Sequence, residues 1–170
     1  MRKAHWLRKE EEVRELSRKA SILVVDDDAA IRKTLSRILE KEGYLVEAVL
    51  SGEKAIEMSN ERFFNVALID IRLPDMEGTE LLEKLKRTEP KMVRIIVTGY
   101  PSLKNAIEAV NKGADGYVLK PFDAGELLVM IEEHLKRQRE TMKYSDKKVA
   151  EYIETRVREV ELEKQKRRVH

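Results

Sequence analysis

The chain has no cysteine, which excludes disulfides and thiolate metal sites and fits a reducing compartment. Long apolar runs are also missing. The longest, Leu127 to Ile131, is five residues, where a membrane-spanning helix needs about 20. The opening MRKAHWLRKEEE has no apolar centre of the kind a signal peptide carries. The expectation is a soluble, cytoplasmic protein. Only seven glycines and four prolines punctuate 170 residues, and Gly43, Gly113 and the Pro90 region stand as helix breakers.

Charge, by contrast, is abundant. Lys, Arg, Asp and Glu make up 39% of the residues, and hydrophobic residues at 42% leave enough for one core. The net charge of +2 conceals a polarity along the chain: residues 1–20 carry +3, residues 136–170 carry +5, and the stretch between carries −6. An acidic centre between basic ends divides the chain into a helical extension at 1–20, a domain at 21–138 and a C-terminal helix at 139–170.

Within the central segment, apolar runs of strand length alternate with helical periods. The expected strands are Ile22 to Val25, Tyr44 to Val49, Val66 to Ile69, Arg94 to Val97 and Gly116 to Leu119. Ile31, Leu35, Ile38 and Leu39 share one helical face, and Gly43 stops that helix. Glu53 to Asn60, Thr79 to Thr88, Leu103 to Lys112 and Asp123 to about Arg139 supply four more helices. This alternation predicts right-handed crossovers and a doubly wound α/β fold with a five-stranded parallel sheet.

In a parallel sheet every strand ends on the same edge, and ligands bind there. The first strand ends in Asp26, Asp27 and Asp28, the third in Asp70, the fourth in Thr98 and Gly99, and the fifth in Lys120 and Pro121. Asp70, following the apolar run Val66 to Ile69, would in isolation serve as readily to cap a loop. Clustered carboxylates repel and lose hydration, so they call for a cation. Oxygen donors with at least two carboxylates suit a hard divalent ion, and Mg²⁺ prefers such a partly hydrated site. A metal there would screen an incoming phosphoryl group and let a carboxylate attack phosphorus.

The segments ILVVDDD, ALIDIRLPDMEG, IIVTGY and GYVLKPF, in this order and separation, resemble the receiver domain of two-component response regulators over residues 21 to about 138. The resemblance implies a flavodoxin-like strand order of 2-1-3-4-5. It implies Asp70 as phosphoacceptor from a histidine kinase or phosphotransfer protein. Asp27 and Asp70 would be direct Mg²⁺ ligands, with Asp26 acting through water and the backbone carbonyl of Arg72 completing the set. Lys120 would pair with a phosphoryl oxygen, aimed by a cis bond to Pro121. Thr98 and Tyr117 would form the switch pair. Asp28 has no ligand role and suits a helix N-cap. Arg72 and Tyr100, bulky and two residues past Asp70 and Thr98, flank the approach of an attacking water and predict slow autodephosphorylation.

The ends carry the output in this reading. Trp6, Val13, Leu16 and Ala20 form a thin apolar stripe at the N-terminus, and Val149, Ile153, Val157 and Val160 another beyond a polar segment at Tyr144 to Asp146. Both suit helix pairing, as in a homodimer. The basic tail KQKRRVH lacks the aromatic interleaving of a nucleic-acid surface, so no nucleic-acid partner is expected. The alternatives are a constitutive receiver-fold scaffold and a nucleic-acid-binding regulator using the basic ends.

Overall fold

The central strands of this chain are largely apolar on both faces, and a computed structural model of the protein shows why. The structure describes residues 20–168; the expected N-terminal helix lies outside them. Five strands, β1 (Ser21–Val25), β2 (Leu45–Val49), β3 (Val66–Ile69), β4 (Val93–Thr98) and β5 (Gly116–Leu119), form one all-parallel sheet in the order β2-β1-β3-β4-β5. Helices α1 (Ala29–Lys41), α2 (Gly52–Glu61), α3 (Gly78–Lys84) and α4 (Leu103–Asn111) connect them, and α5 (Ala124–Arg168) follows β5.

Alternate residues of each strand feed separate cores. Ile22, Val24, Val66, Leu68, Ile95 and Val97 pack with Leu35 and Leu39 of α1 and with Leu127, Ile131 and Leu135 of α5. Leu23, Val25, Ala67, Ile69 and Ile96 pack with Ala55 and Met58 of α2, Leu81 and Leu82 of α3, and Ala109 of α4. Burying each Leu or Ile contributes about 1.5–3 kcal/mol. The sheet is therefore held from both sides, and its C-terminal edge is a fixed platform.

Two helices differ from the sequence expectation. Helix α3 stops at Lys84 rather than Thr88, because both halves of its next ladder bond are engaged elsewhere. The Leu82 carbonyl accepts from Arg94 Nη1 at 2.7 Å, and the Lys86 amide donates to Ser59 Oγ at 3.4 Å. Helix α5 runs without interruption through Tyr144 to Asp146. Polar side chains there leave the backbone ladder intact, and no Gly or Pro follows Gly125 to break it.

The described residues fall into two units, one ending at Leu135 and one beginning at Lys136. The second is helical, with Met142, Val149, Ile153 and Val157 all exposed and the Lys148 ammonium 4.8 Å from the centre of the Tyr144 ring. No described helix is long and apolar enough to cross a membrane.

Candidate functional site

The sheet edge brings together the residues that follow the strands. Asp26 succeeds β1, Asp70 succeeds β3, Thr98 ends β4 and Lys120 succeeds β5. One carboxylate oxygen from each of Asp26, Asp27 and Asp70 lies within 4.8 Å of the others, with Asp26 and Asp70 buried and Asp27 exposed. The Lys120 ammonium lies 2.5 Å from Asp26 Oδ2 and 3.5 Å from Asp70 Oδ1. The Lys120–Pro121 bond is cis.

Asp70 Oδ1 is buried and has no hydrogen-bond partner among the described residues. Burial pushes the Asp70 carboxyl above its usual pKa; the Lys120 charge opposes this and the Asp26 charge reinforces it. The cluster thus holds more negative charge than Lys120 offsets. Three carboxylates of all-oxygen chemistry, one carrying an unsatisfied buried oxygen, fit a hard divalent cation.

Each loop at this edge is pinned. Asp28 caps α1, its Oδ1 accepting from the Ala30 and Ile31 amides at 2.8 and 3.1 Å. The loop after Asp70 closes through the Gly78 amide on the Ile71 carbonyl at 2.6 Å and an Arg72–Glu77 bridge. A Cβ on Gly78 would collide with the Asp70 carbonyl oxygen. The Asp75 carboxylate leaves the same loop to cap α2, accepting from the Gly52 and Glu53 amides at 2.9 and 2.8 Å. Burial pushes the Asp75 carboxyl up, and the amides of Glu53, Gly52, Asp75 and Met76 together more than reverse it. Neither role was anticipated for Gly78 or Asp75, although the DMEG turn in the loop after β3 carried the signal.

Thr98 is fully buried, and its Oγ1 accepts from the Tyr100 amide at 3.1 Å. Tyr117 is turned inward: its ring packs on the core shared with α2, α3 and α4, and its hydroxyl is buried near the Ser102 backbone. Burial raises the Tyr117 pKa, opposed by the Ser102 backbone. Every site residue expected from the sequence therefore lies at this edge or directly beneath it.

A family model described as the response regulator receiver domain matches residues 22–132. The chain belongs to this family. Among curated relatives, the DNA-binding transcriptional regulator NtrC of Proteus hauseri is 38% identical over 122 residues, covering 72% of this chain and 26% of the relative. The transcriptional regulatory protein ZraR of Escherichia coli (strain K12) is 37% identical over 114 residues, covering 67% and 26%. The receiver thus spans about a quarter of the length of these relatives. Among solved structures, a CheY-like response regulator receiver domain protein from Methanospirillum hungatei JF-1 is 47% identical with a TM-score of 0.70, covering 72% of this chain and 98% of that one. The beryllofluoride-activated NtrC4 receiver domain dimer is 34% identical with a TM-score of 0.65, covering 69% and 98%. Receivers are phosphorylation-dependent signalling modules, and Mg²⁺ binding at an acidic pocket is a general feature of the family. In this receiver the matching pocket is the Asp26, Asp27 and Asp70 cluster.

Proposed function

We propose that residues 21–138 form a switch in which Asp70 accepts a phosphoryl group from a histidine kinase or a phosphotransfer protein. The observation that carries this reading is Asp70 Oδ1, buried at the end of β3 with no well-formed hydrogen bond and the Lys120 ammonium 3.5 Å away. Such an oxygen keeps its lone pairs for phosphorus. In the transfer, an Asp70 oxygen bonds to phosphorus as the donor's nitrogen–phosphorus bond breaks and the freed imidazole takes up a proton. Asp27 and Asp70 would hold Mg²⁺ directly, Asp26 through water, with the Arg72 backbone carbonyl as a further ligand. When bound, Mg²⁺ supplies charge screening for the incoming phosphoryl oxygens. Lys120 holds Asp26 in the unphosphorylated pocket and pairs with a phosphoryl oxygen afterwards, and the Thr98 hydroxyl donates to another. Tyr117, already inward, backs the Thr98 position. The protein is a switch that promotes its own phosphorylation and dephosphorylation, not an enzyme acting on a separate substrate.

The output, in this reading, is protein interaction through residues 139–170. Met142, Val149, Ile153 and Val157, spaced seven, four and four apart, lie on one side of a helix and are exposed. A second copy of the chain offers the same stripe, and an isologous helix pair would cover both. The test is to incubate wild type and Asp70→Asn with acetyl phosphate and Mg²⁺, then to measure intact mass and oligomeric state. One added phosphoryl group on wild type and none on Asp70→Asn is expected. An unmodified wild type would overturn the reading.

A further inference from the structure

The acidic turn after β1 leaves three consecutive carbonyl oxygens to satisfy, and a single residue of α1 takes all three. Arg32 Nη1 donates to the Asp26 carbonyl at 2.8 Å and to the Asp27 carbonyl at 2.9 Å, and the Arg32 backbone amide donates to the Asp28 carbonyl at 3.0 Å. Meanwhile the Asp28 amide donates to Asp26 Oδ1 at 2.9 Å, and the Asp28 side chain caps the helix. Of the three carboxylates in this turn, Asp27's is the one left without such a partner. That group is exposed and forms no hydrogen bond or ion pair of its own among the described residues. Its position follows from the backbone on either side of it, and Arg32 grips that backbone at both carbonyls.

We propose that Arg32 is a positioning residue for the divalent cation: by drawing the Asp26 and Asp27 carbonyls toward α1, it turns the Asp27 carboxylate toward Asp26 and Asp70. The inference rests on the cation reading of this cluster. Two effects of Arg32 on a cation have opposite signs. Its own positive charge repels a divalent ion, so a purely electrostatic role predicts tighter binding once the charge is gone. Its grip on the turn places a ligand, so a positioning role predicts weaker binding, and groups that orient metal ligands are worth about 10–100-fold in affinity. An ammonium has donors enough for two carbonyls, but the lysine side chain is shorter and its head tetrahedral rather than planar, so lysine restores the charge but only part of the geometry.

The experiment is calorimetric titration of Mg²⁺ into wild type, Arg32→Met, Arg32→Lys and Asp27→Asn, with thermal midpoints of each measured in EDTA. Positioning predicts that Arg32→Met loses about tenfold in Mg²⁺ affinity, that Arg32→Lys falls between it and wild type, and that EDTA midpoints do not rank the variants in the same order. Tighter binding by Arg32→Met, with Arg32→Lys equal to wild type, would assign Arg32 a charge role and overturn the proposal. Unchanged affinity with a lowered EDTA midpoint would make it structural and also overturn it. No saturable binding by wild type, matching Asp27→Asn, would instead remove the cation reading and the proposal with it.

Discussion

The guanidinium of Arg72 stacks over the ring of Tyr100, its central carbon 3.8 Å from the ring centroid. The two side chains come from different loops, one following Asp70 and the other following Thr98, and meet face to face. An exposed cation–π pair is worth about 0.5–1 kcal/mol, enough to favour one side-chain arrangement severalfold without holding the fold.

If this pair lies where water would approach a phosphoryl group on Asp70, as the sequence reading expects, it acts as a lid on hydrolysis. Loading wild type and an Arg72→Ala, Tyr100→Ala double variant with acetyl phosphate, then removing the donor and following decay of the phosphorylated mass, should show a shorter lifetime for the variant. Equal lifetimes would mean that the stack does not restrict water.

Asp70 is held in a place that disfavours its charge, and the consequence for stability has a definite sign. Because the folded-state pKa is raised, the native protein binds the proton more tightly than the unfolded chain does. The resulting penalty is absent below the unfolded value of 3.8 and grows as pH rises through the folded value. In EDTA at neutral pH, Asp70→Asn should therefore melt above wild type, by about 2–4 °C for each kcal/mol relieved, and the gap should close below pH 3.8. Asp27→Ala should also melt higher in EDTA, since three carboxylate oxygens within 4.8 Å become two. Added Mg²⁺ should reverse the order for Asp27→Ala, because wild type gains a ligand-binding contribution.

Two glycines make a controlled comparison. A Cβ at Gly78 meets the Asp70 backbone, which cannot move without displacing the phosphoacceptor, whereas one at Gly52 meets the flexible side chain of Met76. Gly78→Ala should lower stability by about 1–3 kcal/mol and slow phosphorylation by acetyl phosphate. Gly52→Ala should leave the phosphorylation rate near wild type. Denaturant midpoints and rates of mass gain would check both.

If the exposed stripe on the C-terminal part of α5 pairs with a second copy, charges placed within it should separate the copies. Val149→Glu with Ile153→Glu is expected to give a monomer by light scattering at concentrations where wild type is larger, with phosphorylation of Asp70 unaffected. A monomeric wild type, phosphorylated or not, would remove the pairing.

Much of this architecture could be read from periodicity. Val66 to Ile69 and Ile95 to Val97 are short apolar runs that alternate between two cores, and doubly buried strands leave that pattern. The site residues followed because strand ends in a parallel sheet are also places in space, so Asp26, Asp70, Thr98 and Lys120 could be set on one edge before any distance was known. What escaped was whatever depended on a partner distant in sequence. Arg94 reads as a polar residue opening a strand, yet its buried guanidinium takes the Leu82 and Leu85 carbonyls at 2.7 and 3.4 Å and helps end α3 early. Asp75 reads as a turn residue, yet it caps a helix more than twenty residues upstream. In each case the side chain serves backbone groups of another segment, and no local pattern records that.

The Asp75 cap also bears on entropy. Fixing a residue's backbone costs about 1–2 kcal/mol, and the segment from Asp70 to Gly78 is ordered by the Ile71–Gly78 and Asp75–Gly52 bonds as the chain folds. A phosphoryl group arriving at Asp70 meets a half of the pocket with no ordering left to do. The facing segment, Gly99 to Ser102, is exposed throughout, and the Thr98 hydroxyl accepts a bond from within it at Tyr100. If a new phosphoryl group draws the Thr98 hydroxyl away from the Tyr100 amide, the change falls on this facing segment and on the start of α4, whose N-cap is Ser102, rather than on the loop from Asp70 to Gly78.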